Sequence, residues 1–321
     1  MEREIWPLLY RYIRATAQGF SQKYVQIQPW VLVATMLWAA LHDRPVSWAC
    51  KPKHWSTTKL RPLTIPSQST MSRRADSVGT GLFWHRMQEK LRGSGTPALL
   101  AFVDGKPLPV GGNSKDPDAT WGRGAGGLAK GYKLHAIWSP GVLPESWEVT
   151  TLNVGEKEVA KRLLGQLHYG GYLLGDGEYD ASYLYDEAFE RGYQLVSPCR
   201  KAKNPGCGKH YQSPHRRRSL ALLTTSFGKE LYRARSQIER SFGNATSFAG
   251  GLAPLPAWVR GLNRVRTWVW AKLLINAVRI IKHHGLTSAL NNVESVGTSS
   301  DQWRKISRNL SSLQRRLRFA W

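Results

Sequence analysis

The order of strand and helix signals between residues 98 and 197 restricts the fold more than any other feature of this sequence. Short apolar runs at 98–103, 132–139 and 147–153 predict three strands with short connections, which favours antiparallel pairing. After them come a helix, a strand, a helix and a strand, at 156–168, 172–174, 182–191 and 193–197. Strands that alternate with helices are typical of parallel pairing. The sequence therefore predicts an α/β fold with a mixed five-stranded sheet flanked by helices.

The two ends of the chain differ from this central part. Residues 1–95 have mainly helical patterns, and Arg73 and Arg74 follow a capped helix start at residues 66–70. This region is predicted to be either a helix-turn-helix-like DNA-binding unit or an ordinary helical cap on the next domain. Residues 286–321 predict a linker and a basic amphipathic helix. The predicted domains are thus 1–95, 96–285 and 286–321.

The charge of the chain indicates a polyanionic partner. It has 46 Lys and Arg against 22 Asp and Glu, a net charge of +24, and 41% hydrophobic residues, which argues against a disordered basic chain. The first 95 residues hold 14 basic and 5 acidic residues, and the last 121 hold 22 and 4. The segment between them holds 10 basic and 13 acidic residues. This distribution predicts a carboxylate-bearing centre held against nucleic acid by basic flanks.

Cysteine content and hydropathy predict a cytoplasmic protein. Three cysteines are too few for a disulfide framework. The longest apolar run, 30–41, has 12 residues and is too short to span a bilayer. The spacing of Cys199, Cys207, His210 and His215 is not that of a zinc finger, so no zinc site is expected.

Three acidic residues are the candidates for chemistry. Asp104 and Asp176 each follow an apolar strand, and carboxylates at one sheet edge suit Mg²⁺ or Mn²⁺. Taken singly, each could also be a turn residue or a helix cap. Glu239 would share one helix face with Tyr232 and Arg235, although an Arg–Glu pair at this spacing can also be a surface ion pair.

Four blocks of sequence, in this order, resemble the DDE transposases of bacterial insertion sequences, of the family four and family five types. They are FVDGKPLPV, SKDPDA leading to KGYKLHAI, LLGDGEYD and YRARSQIERSFG, within about residues 98–285. The resemblance implies an RNase H-like core whose catalytic and metal-ligating residues are Asp104, Asp176 and Glu239. Thr246 stands where family four has a lysine, and Arg240 resembles the family five pattern.

The implied activity is cleavage at insertion-sequence ends and joining of the 3′-OH to target DNA, with two Mg²⁺ or Mn²⁺ ions. Its partners would be double-stranded DNA and a second copy of the chain in the synapsed complex, and its location the nucleoid of a bacterial cytoplasm. Two alternatives remain open at this point. One is a catalytically inactive DNA-binding derivative, and the other is a structure-specific nuclease on the same core.

Basic and aromatic side chains complete the predicted site. The expected DNA contacts are Tyr232, Arg235, Arg240, Lys130, Lys133, Arg216, Arg217, Arg218, Arg73 and Arg74. The glycine-rich stretch 122–127 is expected to be a flexible loop. Trp121, at the start of this loop, could stack on a splayed base.

Overall fold

The computed structural model describes residues 2–92, 98–124, 126–200, 212–246 and 251–285. They fall into two units. The first contains the described residues of 1–95 and 244–298, and the second those of 96–243. The predicted C-terminal helix, Cys207 and His210 lie outside the described residues.

The described residues form eleven α-helices and six strands. The helices are α1 (Glu2–Ala17), α2 (Pro29–Leu41), α3 (Val46–Ala49), α4 (Gln68–Arg74), α5 (Val78–Arg92), α6 (Glu156–Leu164), α7 (Ser182–Glu190), α8 (Pro214–Thr224), α9 (Ser226–Arg233), α10 (Ser236–Thr246) and α11 (Leu262–His283). The strands are β1 (Leu100–Pro109), β2 (Thr120–Gly124), β3 (Gly127–Trp138), β4 (Ser146–Thr151), β5 (Gly171–Leu174) and β6 (Tyr193–Val196). Short 3₁₀ helices lie at Pro52–Trp55 and Gly177–Tyr179.

The first unit is built around α2, which is apolar on all sides and packs against α1, α3, α5 and α11. Trp38 of this helix stacks on Trp55 at 4.8 Å and meets the edge of Trp6 at 4.7 Å. All three rings are buried, and burial of a large apolar side chain stabilises a fold by about 1.5–3 kcal/mol. Ser67 caps α4 by accepting a hydrogen bond from Thr70 N, which confirms the predicted helix start.

The second unit contains a mixed sheet with the order β2-β3-β1-β5-β6, with β4 also paired to β3. β1, β3 and β4 pair antiparallel, whereas β1, β5 and β6 pair parallel. The predicted α/β class and mixed sheet are confirmed: the five predicted strands are present and β2 is a sixth, and this topology is consistent with an RNase H-like core. Helices α6 and α7 cover one face of the sheet around a core that includes Val103, Ile137, Leu163, Leu173 and Leu195.

Two local expectations are wrong. Thr120–Gly124 is a strand paired with β3, where a flexible loop was expected. Gly122 permits this pairing, since a Cβ there would lie 2.4 Å from the carbonyl oxygen of Leu152. β1 also continues beyond Asp104 to Pro109, because β3 extends far enough to pair with it from Phe102 to Pro109.

The three predicted domains stay a prediction. The described residues of the first 95 form only helices apart from loops. The contacts place α11 in the same unit as these helices, whereas the predicted boundaries assign it to the central domain.

Candidate active site

Asp104 lies on β1, and Asp176 lies at the equivalent position just beyond the end of β5, its parallel neighbour. Phe102 of β1 is paired with Leu174 of β5, and each aspartate comes two residues after its paired residue. Asp176 also caps the 3₁₀ helix Gly177–Tyr179, because its Oδ1 accepts a hydrogen bond from Glu178 N at 2.9 Å. The sheet thus brings both aspartates to one edge, where parallel α/β sheets place their functional groups.

The Asp104 carboxylate is poorly solvated and surrounded by other charges. Burial raises its pKa to about 6. Its Oδ1 accepts a hydrogen bond from Gly105 N at 2.8 Å, which lowers the pKa. The charges of Asp176 and Glu156 raise it, whereas Arg235 lowers it. The crowding of like charges is what a site for a divalent cation requires.

Glu239 is connected to Asp104 through Arg235. Arg235 Nη2 donates to Glu239 Oε1 at 3.0 Å, and Arg235 Nη1 lies 4.0 Å from Asp104 Oδ2. The Glu239 side chain is 61% exposed, so the Arg–Glu contact by itself is a surface ion pair. Because Arg235 also approaches Asp104, the Arg235–Glu239 ion pair lies next to the aspartates.

The prediction of one continuous helix through Tyr232, Arg235 and Glu239 is wrong. α9 ends at Arg233 and α10 begins at Ser236, so Arg235 lies at the junction of two helices. The hydrogen bond from Arg235 N to Tyr232 O, at 3.0 Å, closes a tight turn there. Tyr232 still faces the site, because its hydroxyl donates to Gly175 O, next to Asp176, at 3.1 Å.

Three side chains pack next to the two aspartates: Lys133, which the sequence predicted as a DNA contact, and Glu156 and Tyr179, which it did not single out. Lys133 Nζ donates to Glu156 Oε1 at 2.8 Å, and both side chains are largely buried. A Cβ on Gly105 would lie 3.0 Å from Lys133 Cδ and 3.1 Å from Glu156 Oε1. Just after β5, a Cβ on Gly175 would lie 2.9 Å from Tyr179 Cδ2.

Glu156 had only a weak sequence signal, its place at the first residue of α6, and Tyr179 had only its proximity to Asp176. Tyr179 is fully buried, which raises the pKa of its hydroxyl well above the ordinary value, and the Glu156, Asp104 and Asp176 carboxylates raise it further. The phenol therefore stays protonated beneath the carboxylates.

The donor chemistry of the three predicted acids fits Mg²⁺ or Mn²⁺, which prefer carboxylate oxygens. Among the described residues, no three His, Cys, Asp or Glu side chains are close enough together to hold a metal ion as they stand. The guanidinium of Arg235 lies between Asp104 and Glu239. A metal held by all three acids therefore requires the Arg235–Glu239 pair to rearrange.

The predicted DNA contacts differ in their environments. Arg216 is buried and pairs with Asp180 through Nε at 2.6 Å and Nη2 at 2.9 Å. Lys130 Nζ donates to Ser114 O at 2.7 Å, and Arg74 Nη1 donates to Ile27 O at 2.6 Å. Four of the predicted contacts are exposed arginines: Arg73, Arg217, Arg218 and Arg240. The DNA-binding roles of all these residues stay predictions.

The β2–β3 pair presents a mixed basic and apolar face, which we call the hairpin face. Trp121 lies opposite Lys130, and Arg123 lies opposite Leu128. Directly opposed residues share one side of a sheet. Trp121 is 53% and Leu128 77% exposed. Arg123 lies 3.6 Å from Glu178, two residues after Asp176, so the hairpin face adjoins the candidate site.

The mixed sheet is consistent with an RNase H-like core, and it carries Asp104 and Asp176 at one edge. A family model described as "Transposase DDE domain" matches residues 95–275, more than half of the chain. The chain belongs to this family, as its sequence motifs predicted. Searches of curated proteins and of solved structures found no match. Within the described residues, no helix is long and apolar enough to cross a membrane.

Proposed function

We propose that this protein is a transposase that cleaves DNA at the ends of an insertion sequence and joins the freed 3′-OH to target DNA. Membership of the Transposase DDE domain family supports a DNA-processing enzyme. The observation that carries the finer proposal is the matched placement of Asp104 on β1 and of Asp176 just after β5, the adjacent parallel strand, with Glu239 connected to Asp104 through Arg235.

Asp104, Asp176 and Glu239 would hold two Mg²⁺ or Mn²⁺ ions. Bound there, these ions supply Lewis-acid stabilisation of the charge on the attacking and leaving oxygens. The protein's own residues position the reacting groups. Asp176 is held by its cap on Glu178 N, and Tyr232 anchors the α9–α10 junction to Gly175 O.

Arg235 would bind a DNA phosphate when a metal separates it from the carboxylates. Its guanidinium already lies at the site, and its five N–H donors in a planar fork match phosphate oxygens. The side chain therefore has two partners of the same charge type, the carboxylates of the protein and the phosphate of the substrate. Exchange between them would couple DNA binding to assembly of the metal site.

DNA would be held by basic side chains outside the catalytic centre. Arg217 and Arg218 are exposed on α8, and the hairpin face adds Arg123, Lys130 and an exposed indole. Contacts of this kind give affinity through counterion release, so binding should weaken steeply with salt. A homodimer on paired ends and a location at the bacterial nucleoid belong to the same proposal.

The test uses a supercoiled plasmid that carries the gene with its natural flanking DNA. With Mg²⁺, the wild-type protein should cut at short inverted repeats beside the gene, and Asp104→Asn should bind equally well without cutting. Cutting without joining of 3′ ends to a target plasmid would favour the nuclease alternative. Binding by both proteins without any cutting would favour a catalytically inactive DNA-binding protein.

A further inference from the structure

The ion pair of Lys133 and Glu156 lies directly beneath the strand that carries Asp104. Lys133, in β3, is 7% exposed, and Glu156, the first residue of α6, is 21% exposed. Both side chains fill the space beside Gly105, the residue after Asp104. A side chain placed in this way is shielded from a DNA molecule at the surface, so direct phosphate contact by Lys133 is disfavoured.

Glu156 adds a fourth negative charge next to the proposed metal ligands. Its charge contributes to the electrostatic environment of Asp104 and of Tyr179. Among the described residues, Lys133 is the cation within ion-pair distance of Glu156. With Lys133 in place, the pair is neutral as a whole and adds no net charge to that of the three proposed metal ligands and Arg235.

We propose that Lys133 is a positioning residue that acts on the catalytic centre through Glu156. It neutralises and holds this fourth carboxylate, so that Glu156 neither attracts the metal ions nor repels the DNA phosphate. This role rests on the proposed function, because it concerns the charge presented to metal and DNA. It differs from the DNA contact predicted for Lys133 from the sequence.

The proposal predicts effects of opposite sign in the two single variants. Lys133→Met leaves the Glu156 charge uncompensated, so Mn²⁺ affinity should rise and metal-free DNA affinity should fall. Glu156→Gln leaves the Lys133 charge uncompensated, so Mn²⁺ affinity should fall and DNA affinity should rise. Each change should be roughly tenfold for a unit charge this close to the site. The double variant should return both affinities to within about twofold of wild type.

The experiment measures Mn²⁺ affinity by calorimetry, and duplex DNA affinity in EDTA over a range of salt concentrations. Lys133→Arg is the matched control and should behave like wild type, since it keeps the charge. Thermal unfolding of each variant checks that it is folded. If Lys133→Met does not fold, Glu156→Gln and the double variant still test the sign of the effect and its reversal.

Three results would overturn the inference. If Lys133→Met and the double variant lose DNA affinity equally, and both reduce the salt slope by about 1, Lys133 contacts a phosphate directly. If every variant weakens both metal and DNA binding, the pair is only structural. If no variant changes either affinity, the pair does not act on the site.

Failure of the proposed function would be recognised separately. In that case Asp104 would not bind metal, and Asp104→Asn would give the same Mn²⁺ titration as the wild-type protein. The inference about Lys133 would then fail as well. If Asp104→Asn abolishes Mn²⁺ binding but the opposed signs are absent, the metal centre of the proposed function stands and only the role of Lys133 is rejected.

Discussion

Arg235 contacts Glu239 at 3.0 Å from a position between two helices, not from within one. A residue at such a junction can move without breaking a helix, whereas Glu239 is fixed on α10. The same guanidinium lies 4.0 Å from Asp104 Oδ2. The arrangement therefore joins the helix that carries the third acid to the strand that carries the first.

We expect Arg235→Ala to lower DNA cleavage by about 10- to 100-fold, because the guanidinium proposed to bind a DNA phosphate at the catalytic centre is lost. Single-turnover cleavage at saturating DNA measures this effect. Arg233→Ala, two residues away and exposed, is the matched control and should retain activity. Equal losses in the two variants would indicate a general effect of basic charge.

Asp104→Asn should make the protein more stable at neutral pH while abolishing cleavage. The folded-state pKa of Asp104 is raised from 3.8 to about 6, so the folded state holds a proton that the unfolded state releases between these values. Wild-type stability therefore falls as pH rises through this window, and the unfavourable contribution is complete above about pH 6. The expected gain for Asp104→Asn at pH 7.5 is about 2–3 kcal/mol.

Urea unfolding of both proteins at pH 7.5 and pH 5 measures this difference, which should shrink at the lower pH. Burial also lowers the pKa of His135, to about 3, and makes stability rise with pH, but this residue is present in both proteins. Added Mn²⁺ should stabilise the wild type more than the variant by mass action. A difference that does not change with pH would contradict the assignment to Asp104.

Asp180→Asn should destabilise the protein by about 3 kcal/mol, because it leaves the Arg216 charge buried without its carboxylate partner. The two side chains are 5% and 8% exposed and form two hydrogen bonds. Urea unfolding measures the loss. Glu178→Gln is the control: Glu178 is 38% exposed and pairs with Arg200 at 3.0 Å, so its loss should cost less than about 1 kcal/mol.

Trp121→Ala should weaken DNA binding by about 1–3 kcal/mol if its exposed ring stacks on a base. The ring lies on the hairpin face beside Arg123, which reaches toward the loop after Asp176. Fluorescence anisotropy with labelled DNA measures the change, and Trp121→Phe should retain most of the affinity. Tyr169→Ala is the control, because this exposed ring precedes β5 and so lies away from the edge that carries Asp176. Equal affinity of Trp121→Ala and wild type would exclude a contribution from stacking.

Much of the sheet could be predicted because its signals are local. Apolar runs separated by glycine and proline mark β1, β3 and β4, and helical periodicity marks the crossovers before β5 and β6. The strand β2 could not be predicted in this way, since Thr120–Gly124 has no apolar alternation. It pairs because β3 extends past β4, and because Gly122 fits against the backbone at Leu152.

The sequence by itself determined the order of strands and helices along the chain apart from β2, the placement of Asp104 and Asp176 directly after apolar segments, and the resemblance of the motifs to a DDE transposase. All of these depend on residues close together in the chain or on the order of its segments. Only the tertiary structure decided that Lys133 and Arg216 are buried in ion pairs with Glu156 and Asp180. The physical reason is that a sequence does not show whether a basic side chain pairs with a carboxylate of the protein or with a phosphate of DNA. The carboxylate partners of Lys133 and Arg216 are 23 and 36 residues away along the chain, and only folding brings them within reach.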